Sequence, residues 1–260
     1  MDFIADNYQK IKSILGLSFS LAKANFKVRN EGSYLGVLWY LLEPLSFFII
    51  LILIRGSMSQ KQVENYPIYL FLGLIMFNFF TAVTNFSTKV IQNNAGFIKS
   101  LKINKESFVI SGILQYIFSH FFEFLILIIF AFFYKINIIW MLLFYPIIFF
   151  MFCLFTAGVS LVLAIIGVYI NDLKNVWSVF IRLLWFITPI FYVIESKGLL
   201  HQISMLNPLY HFINISRDII IYHKLPQFGT VFLAIFFSTL VFSIGLFIFE
   251  KNKSKLAEKI

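Results

Sequence analysis

The sequence predicts an all-α integral membrane protein with six spans, and three observations predict it. Hydrophobic residues make up 60% of the 260 residues and charged residues only 13%, against about 45–50% and about 25% in soluble domains. The apolar residues fall in long runs, most of them near the ~20 residues that a helix needs to cross the hydrocarbon core. Lys and Arg gather in alternate connecting segments, as expected of a chain threaded back and forth across a bilayer. Aromatic residues reach 20%, with 35 Phe, and so much apolar surface with so few charges to cover it requires lipid as solvent.

The first stretch, Met1 to Leu15, holds Asp2, Asp6, Lys10 and Lys12. It has neither the basic start nor the compact apolar core of a cleavable signal, so the N-terminus is expected to be kept. From Ile14 to Tyr34, apolar Leu17, Leu21 and Val28 alternate with Lys23, Lys27 and Arg29. That pattern suits a helix lying in the interface plane, with an ordinary positive flank as the alternative, and residues 1–34 are taken as a cytoplasmic amphipathic segment. Spans are expected at about 35–54, 68–87, 108–134, 140–168, 176–193 and 228–249. They should be helical because lipid offers backbone groups no other partner.

Orientation follows from the basic residues. Lys10, Lys12, Lys23, Lys27 and Arg29 precede the first span. Lys89, Lys99, Lys102 and Lys105 follow the second, and Lys251, Lys253, Lys255 and Lys259 follow the last. These three segments are expected in the cytoplasm, with both termini there, in the inner membrane. The formal net charge of +9 is then topology and attraction to anionic lipid heads, and no nucleic-acid role is needed.

Two connecting segments are more than plain loops. In 89–107, Phe97 and Leu101 stand four apart with Lys99 and Lys102 beside them, the spacing of one helical face, which fits a short amphipathic helix that docks a soluble partner, a solvated basic loop being the alternative. The segment 195–227 is too polar to cross, yet contains Leu199, Leu200, Ile203 and Leu206 before Pro208. Two short re-entrant helices forming an outer gate between spans five and six fit it, a surface loop being the alternative.

Polar groups at membrane depth are costly and mark function by default. Glu43, beside Pro44, lies in the first span, Glu123 in the third and Arg182 in the fifth. In the fourth, Ala157, Ser160, Ala164 and Gly167 form a stripe that favours close helix packing. No GxxxxGK[ST] loop is present to cradle nucleotide phosphates, so the chain is expected to be no ATPase. His120, His201, His211 and His223 show no ligand spacing and are read as chance polar residues. The single Cys153 excludes a disulfide within the chain, and no metal or cofactor is expected.

Three blocks then carry a resemblance. FKVRNEGSYLGVLWYLLEPL at Phe26–Leu45, LFTAGVSLVLAIIGVYINDL and LLWFITPIFY within Leu154–Tyr192, and NPLYHFINISRD at Asn207–Asp218 resemble the permeases of type-2 ABC exporters that move O-antigen, capsule or teichoic acid chains. The likeness covers nearly the whole chain. It implies a homodimer with two copies of a separate ABC ATPase subunit that binds ATP and Mg, and a substrate glycan linked to an undecaprenyl-type lipid. It implies that the N-terminal segment and Phe97, Lys99, Leu101 and Lys102 contact the ATPase. Pro189, Asn207, Pro208 and Arg217 would belong to the outer gate and Asp172 to the cytoplasmic turn after the fourth span. Arg29 would attract the pyrophosphate, while Trp39, Tyr40 and Tyr192 would offer flat faces to sugar rings along a path that includes Glu43, the alternatives being a positive-inside anchor for Arg29 and interface-belt positions for the aromatics. Two departures stand out: Asn171 occupies a place where the family usually has Arg before Asp172, and no Pro occurs near Ile103–Asn104. Rival readings are an exporter of a small hydrophobic molecule and a membrane enzyme acting on polyprenyl lipids. The enzyme would need paired carboxylates or a basic phosphate cluster at one membrane face, and Asp172 and Glu106 are too isolated to meet that need.

Overall fold

The computed structural model describes residues 2–56, 63–101, 103–193 and 198–259, and every regular element among them is helical. In chain order these are α1 (Asp2–Asn30), a 3-10 turn (Gly36–Leu38) and α2 (Trp39–Gly56), then α3 (Tyr66–Ser87), α4 (Val90–Asn93), α5 (Ala95–Ser100) and α6 (Glu106–Phe133). They continue with α7 (Ile138–Tyr169), α8 (Leu173–Ile187), α9 (Leu199–Met205), α10 (Pro208–Ile220), α11 (Phe228–Asn252) and α12 (Leu256–Lys259). Five of them are long and apolar enough to cross a membrane: α2 with its leading turn, α3, α6, α7 and α11.

The stretch 176–193 departs from the single helical span expected there. α8 has 15 residues, about 22 Å at 1.5 Å per residue, against a hydrocarbon core of about 30 Å. It stops because Pro189 follows Thr188, and the residue before a proline is pushed out of the helical region; Thr188 sits at φ −83, ψ 125. The N-terminal segment also differs. Rather than beginning near Ile14, α1 runs unbroken for 29 residues and packs along α6. Ser18 and Ala22 are buried in that contact, Leu17 and Leu21 are half-buried, and Val28 projects away.

α3 is the central helix. It is buried from Ile68 to Phe77 and contacts α2, α6, α7, α8 and α10. The broadest pairing is α7 with α11, and it depends on glycine. A Cβ on Gly158 would collide with the Val241 carbonyl, and one on Gly245 with the Gly158 carbonyl, so the two backbones meet where neither carries a side chain. Gly167, from the small-residue stripe, similarly abuts the Thr88 carbonyl.

At the end of the bundle holding α4, α5 and α12, a second core joins Val90, Ile91, Ile98, Phe108, Phe249 and Leu256. Glu106 is not isolated. It is buried and bonded by Lys253 Nζ at 3.2 Å, while Lys253 also pairs with Glu250 and Lys105 donates to the Lys253 carbonyl.

Candidate functional site

Where the end of α1 meets α2, α3 and α6, a cavity of about 320 Å³ opens with Arg29, Tyr40, Glu43, Asn85 and Glu123 in its wall. The Arg29 guanidinium lies over the rings of Tyr40 and Tyr116, at 4.7 and 5.1 Å, a cation–π arrangement that fixes it at the mouth. Deeper in, His120 Nδ1 is 2.9 Å from Glu123 Oε2 and His120 Nε2 is 2.6 Å from the Tyr145 hydroxyl. With the Glu123 carboxyl as acceptor, Nδ1–H donates to it and Nε2 accepts from the Tyr145 hydroxyl, a tautomer assigned from the network. The imidazole stacks on Phe149 at 4.3 Å. His120 is therefore a built part of this wall, which corrects its reading as a chance polar residue. Metal-ligand spacing misses it, since the Tyr145 partner lies on another helix; the i, i+3 spacing of His120 and Glu123 in an apolar helix was the available signal.

Of the pathway residues expected from sequence, the structure brings Arg29, Tyr40 and Glu43 to this one cavity and puts Trp39, half-exposed, on an adjoining groove with them. Glu43 also faces a second groove of about 420 Å³ between α2 and α8, shared with Arg182 and Trp185. Tyr192 is not with them. Its hydroxyl donates to the Phe186 carbonyl at 2.6 Å, beyond the far end of α8.

There the backbone past α8 is held by side chains. Arg217, 1% exposed, donates to the Pro189 carbonyl at 2.7 Å, to Ile190 at 2.8 Å and to Tyr69 at 3.1 and 3.3 Å. Tyr66 and Tyr69 donate their hydroxyls to the carbonyls of Phe191 and Tyr192. Four consecutive carbonyls, 189 to 192, thus each accept from a side chain, which is how non-helical backbone is satisfied in apolar surroundings. Asn207 caps α10 through Leu209 N–H at 3.1 Å and donates to Thr188 Oγ1 at 2.8 Å. Pro208 takes the first position of α10, where a missing N–H costs nothing. The roles of Tyr66 and Tyr69 were hidden in sequence because their partners lie more than a hundred residues away.

At the opposite end, α5 is fastened by buried Ile98 while Phe97 and Lys99 stay exposed. The helix ends at Ser100, and Leu101 is extended at φ −123, ψ 139, so Phe97 and Leu101 do not share a helical face as their spacing suggests. Both are nonetheless more than half exposed. Lys102 lies outside the described residues. Gln92 donates to the Gly167 carbonyl at 2.7 Å and to Asn171 Oδ1 at 3.1 Å, tying α4 to the turn after α7. Asp172, exposed, opens α8 without a side-chain cap.

The arrangement defines a helical membrane protein with a polar cavity inside the bundle, a clasped non-helical stretch at one end and a short, partly exposed helix at the other. The chain belongs to the ABC-2 type transporter family, whose sequence pattern matches residues 17–221. It is similar to an O-antigen export system permease protein of Myxococcus xanthus, with 22% identity over 248 residues covering 94% of this chain and 95% of the relative. A Klebsiella pneumoniae protein of the same description is 28% identical over 262 residues, covering 96% and 98%. A polysialic acid transport protein of Escherichia coli is 23% identical over 230 residues, covering 85% and 88%.

Proposed function

We propose that this chain is the permease of an ATP-driven exporter that moves a lipid-linked polysaccharide, of O-antigen or capsule type, across the cytoplasmic membrane. The observation that carries this reading is similarity along almost the full length to O-antigen export permeases. Two copies of the chain assemble with two copies of a separate ATPase subunit, which binds ATP and Mg, and both termini face the cytoplasm. α8 with the extended residues that follow it serves as the fifth of six crossings.

ATP binding on the partner moves α5, gripped through Phe97, Lys99 and Leu101. The Gln92 bonds pass that movement to the end of α7, and a change between two packed states follows. The exposed faces of α2 and α8, with Glu43 and Arg182 between them, supply the path between the copies. Arg29 meets the anionic end of the lipid carrier at the inner face, and α9 and α10 form the outer gate through Pro189, Asn207 and Arg217.

The test is co-purification in mild detergent together with surface-glycan staining of cells that lack the chain. An ATPase subunit recovered at one copy per permease, and surface glycan lost on deletion and restored by the wild-type gene, are expected. Glu43→Ala should reduce surface glycan while the assembly survives. A folded chain that recovers no ATPase, with surface glycan unchanged on deletion, overturns the reading.

A further inference from the structure

The cavity between α1, α2, α3 and α6 has a wall unlike the rest of the bundle. The Tyr40 hydroxyl, Thr81 Oγ1, Asn85 Oδ1 and Ser119 Oγ are all buried and have no hydrogen-bond partner, and all four residues line this one cavity. Tyr40 and Ser119 are only 6% and 8% exposed. A buried polar atom left unpaired is costly, and native proteins hold few of them, so four around one space describe a wall that something polar completes. The volume, about 320 Å³, is near the lower end for small-ligand sites, roughly 300 Å³ upward.

The atom types narrow the ligand. Hydroxyls that both donate and accept, an amide oxygen and the Phe79 ring offer paired hydrogen bonds beside an apolar face. Two carboxylates, Glu43 and Glu123, share the wall with one cation, Arg29, so a free anion gains little inside, whereas ligand hydroxyls donating to a carboxylate form the stronger, charge-assisted bonds. We infer that this cavity is a binding site, complete within one protomer, for a single uncharged sugar ring. It rests on the reading of the chain as a glycan-exporting permease and adds to it a resting subsite that adjoins the α2–α8 groove, with Glu43, Asn78 and Thr81 lining both.

The experiment uses the full chain in lipid nanodiscs, titrated with methyl mannoside, methyl galactoside, methyl N-acetylglucosaminide and inorganic phosphate, with binding read by saturation-transfer NMR. At least one glycoside should bind, and inorganic phosphate, which Arg29 attracts at the mouth, should not displace it. Thr81→Val, which removes a hydroxyl without changing shape, and Ser119→Leu, which fills the space, should each raise the apparent Kd about tenfold or more, the equivalent of about 1.4 kcal/mol. Thr239→Val, on the exposed face of α11, should leave it unchanged. No glycoside binding, or binding that survives both Thr81→Val and Ser119→Leu, overturns the inference and leaves the cavity to ordered water. Surface glycan lost on deletion of the chain alongside such a result sinks the subsite alone; surface glycan unchanged on deletion sinks the exporter reading and the subsite with it.

Discussion

Replacing Arg217 with Met should loosen the stretch that follows α8 by an amount the structure allows to be worked out. The guanidinium supplies the hydrogen bonds of the Pro189 and Ile190 carbonyls and two more to Tyr69, and its carbon lies 3.4 Å from the centre of the Tyr69 ring. The Tyr69 carbonyl sits inside α3 and keeps its helical partner, so two acceptors are orphaned. Each costs about 1–3 kcal/mol when buried, and relief from burying a cation offsets part of the sum, leaving roughly 3 kcal/mol. For a chain of this size that is a fall in Tm of about 6–12 °C. The single Cys153, half-buried in α7, allows unfolding to be followed with a thiol-reactive dye. Arg217→Lys, a point charge without the planar fork, should fall between Met and the parent. Gly73→Ala should lower Tm as well, since its Cβ would stand 2.7 Å from Arg217 Nη2. An Arg217→Met chain melting within about 2 °C of the parent, less than the shift expected from one lost kcal/mol, would refute the clasp.

His120→Leu should cost about 1–3 kcal/mol, because the Glu123 carboxyl and the Tyr145 hydroxyl lose their buried hydrogen-bond partner; the double variant His120→Leu with Glu123→Leu should recover much of that, and additive losses in a double-mutant cycle would contradict the pairing. Gly245→Leu should prevent the close approach of α7 and α11, seen as loss of the monodisperse peak in gel filtration, whereas Gly229→Ala, with open space around its Cβ position, should not. The third prediction concerns pH. Burial by itself lowers the Lys253 ammonium, but bonding to Glu250 and Glu106 outweighs it and its pKa lies above the ordinary lysine value. A raised pKa means stabilisation present in full below the unfolded value of about 10.4 and lost as pH rises through the folded one. Hydrogen exchange in the last turns of α11, which Lys253 ties to Glu106 and Glu250, should therefore show constant protection from about pH 6 to 9, after correction for intrinsic rates, and protection lost in that window would contradict the assignment.

Much of the membrane architecture was legible from local pattern. The long apolar runs became α2, α3, α6, α7 and α11 with ends within a few residues of those expected, because hydrophobicity over a window of about 20 residues is a property of the sequence itself. Asn207 and Pro208 carry a cap and a first-turn proline, signals confined to neighbouring residues. Where the local signal misled, a neighbouring element decided the outcome. The spacing of Phe97 and Leu101 suggested one helical face, but the helix stops at Ser100, with Ile98 rather than either of them turned into the core. Thr188-Pro189 was a readable stop signal inside a run whose apolar composition continued past it.

Sequence by itself determined the class of protein, the number of long apolar helices within one and the places where charge would be expensive, since composition and periodicity act over a few turns of chain. Only the tertiary structure decided which of those polar residues meet. His120 finds Tyr145 across helices, Tyr66 and Tyr69 reach carbonyls more than a hundred residues away, and Arg217 is buried by α3 and the stretch after α8 together. In an apolar interior a polar group is tolerated only where another side chain or backbone atom arrives to bond it, and that arrival is a property of packing.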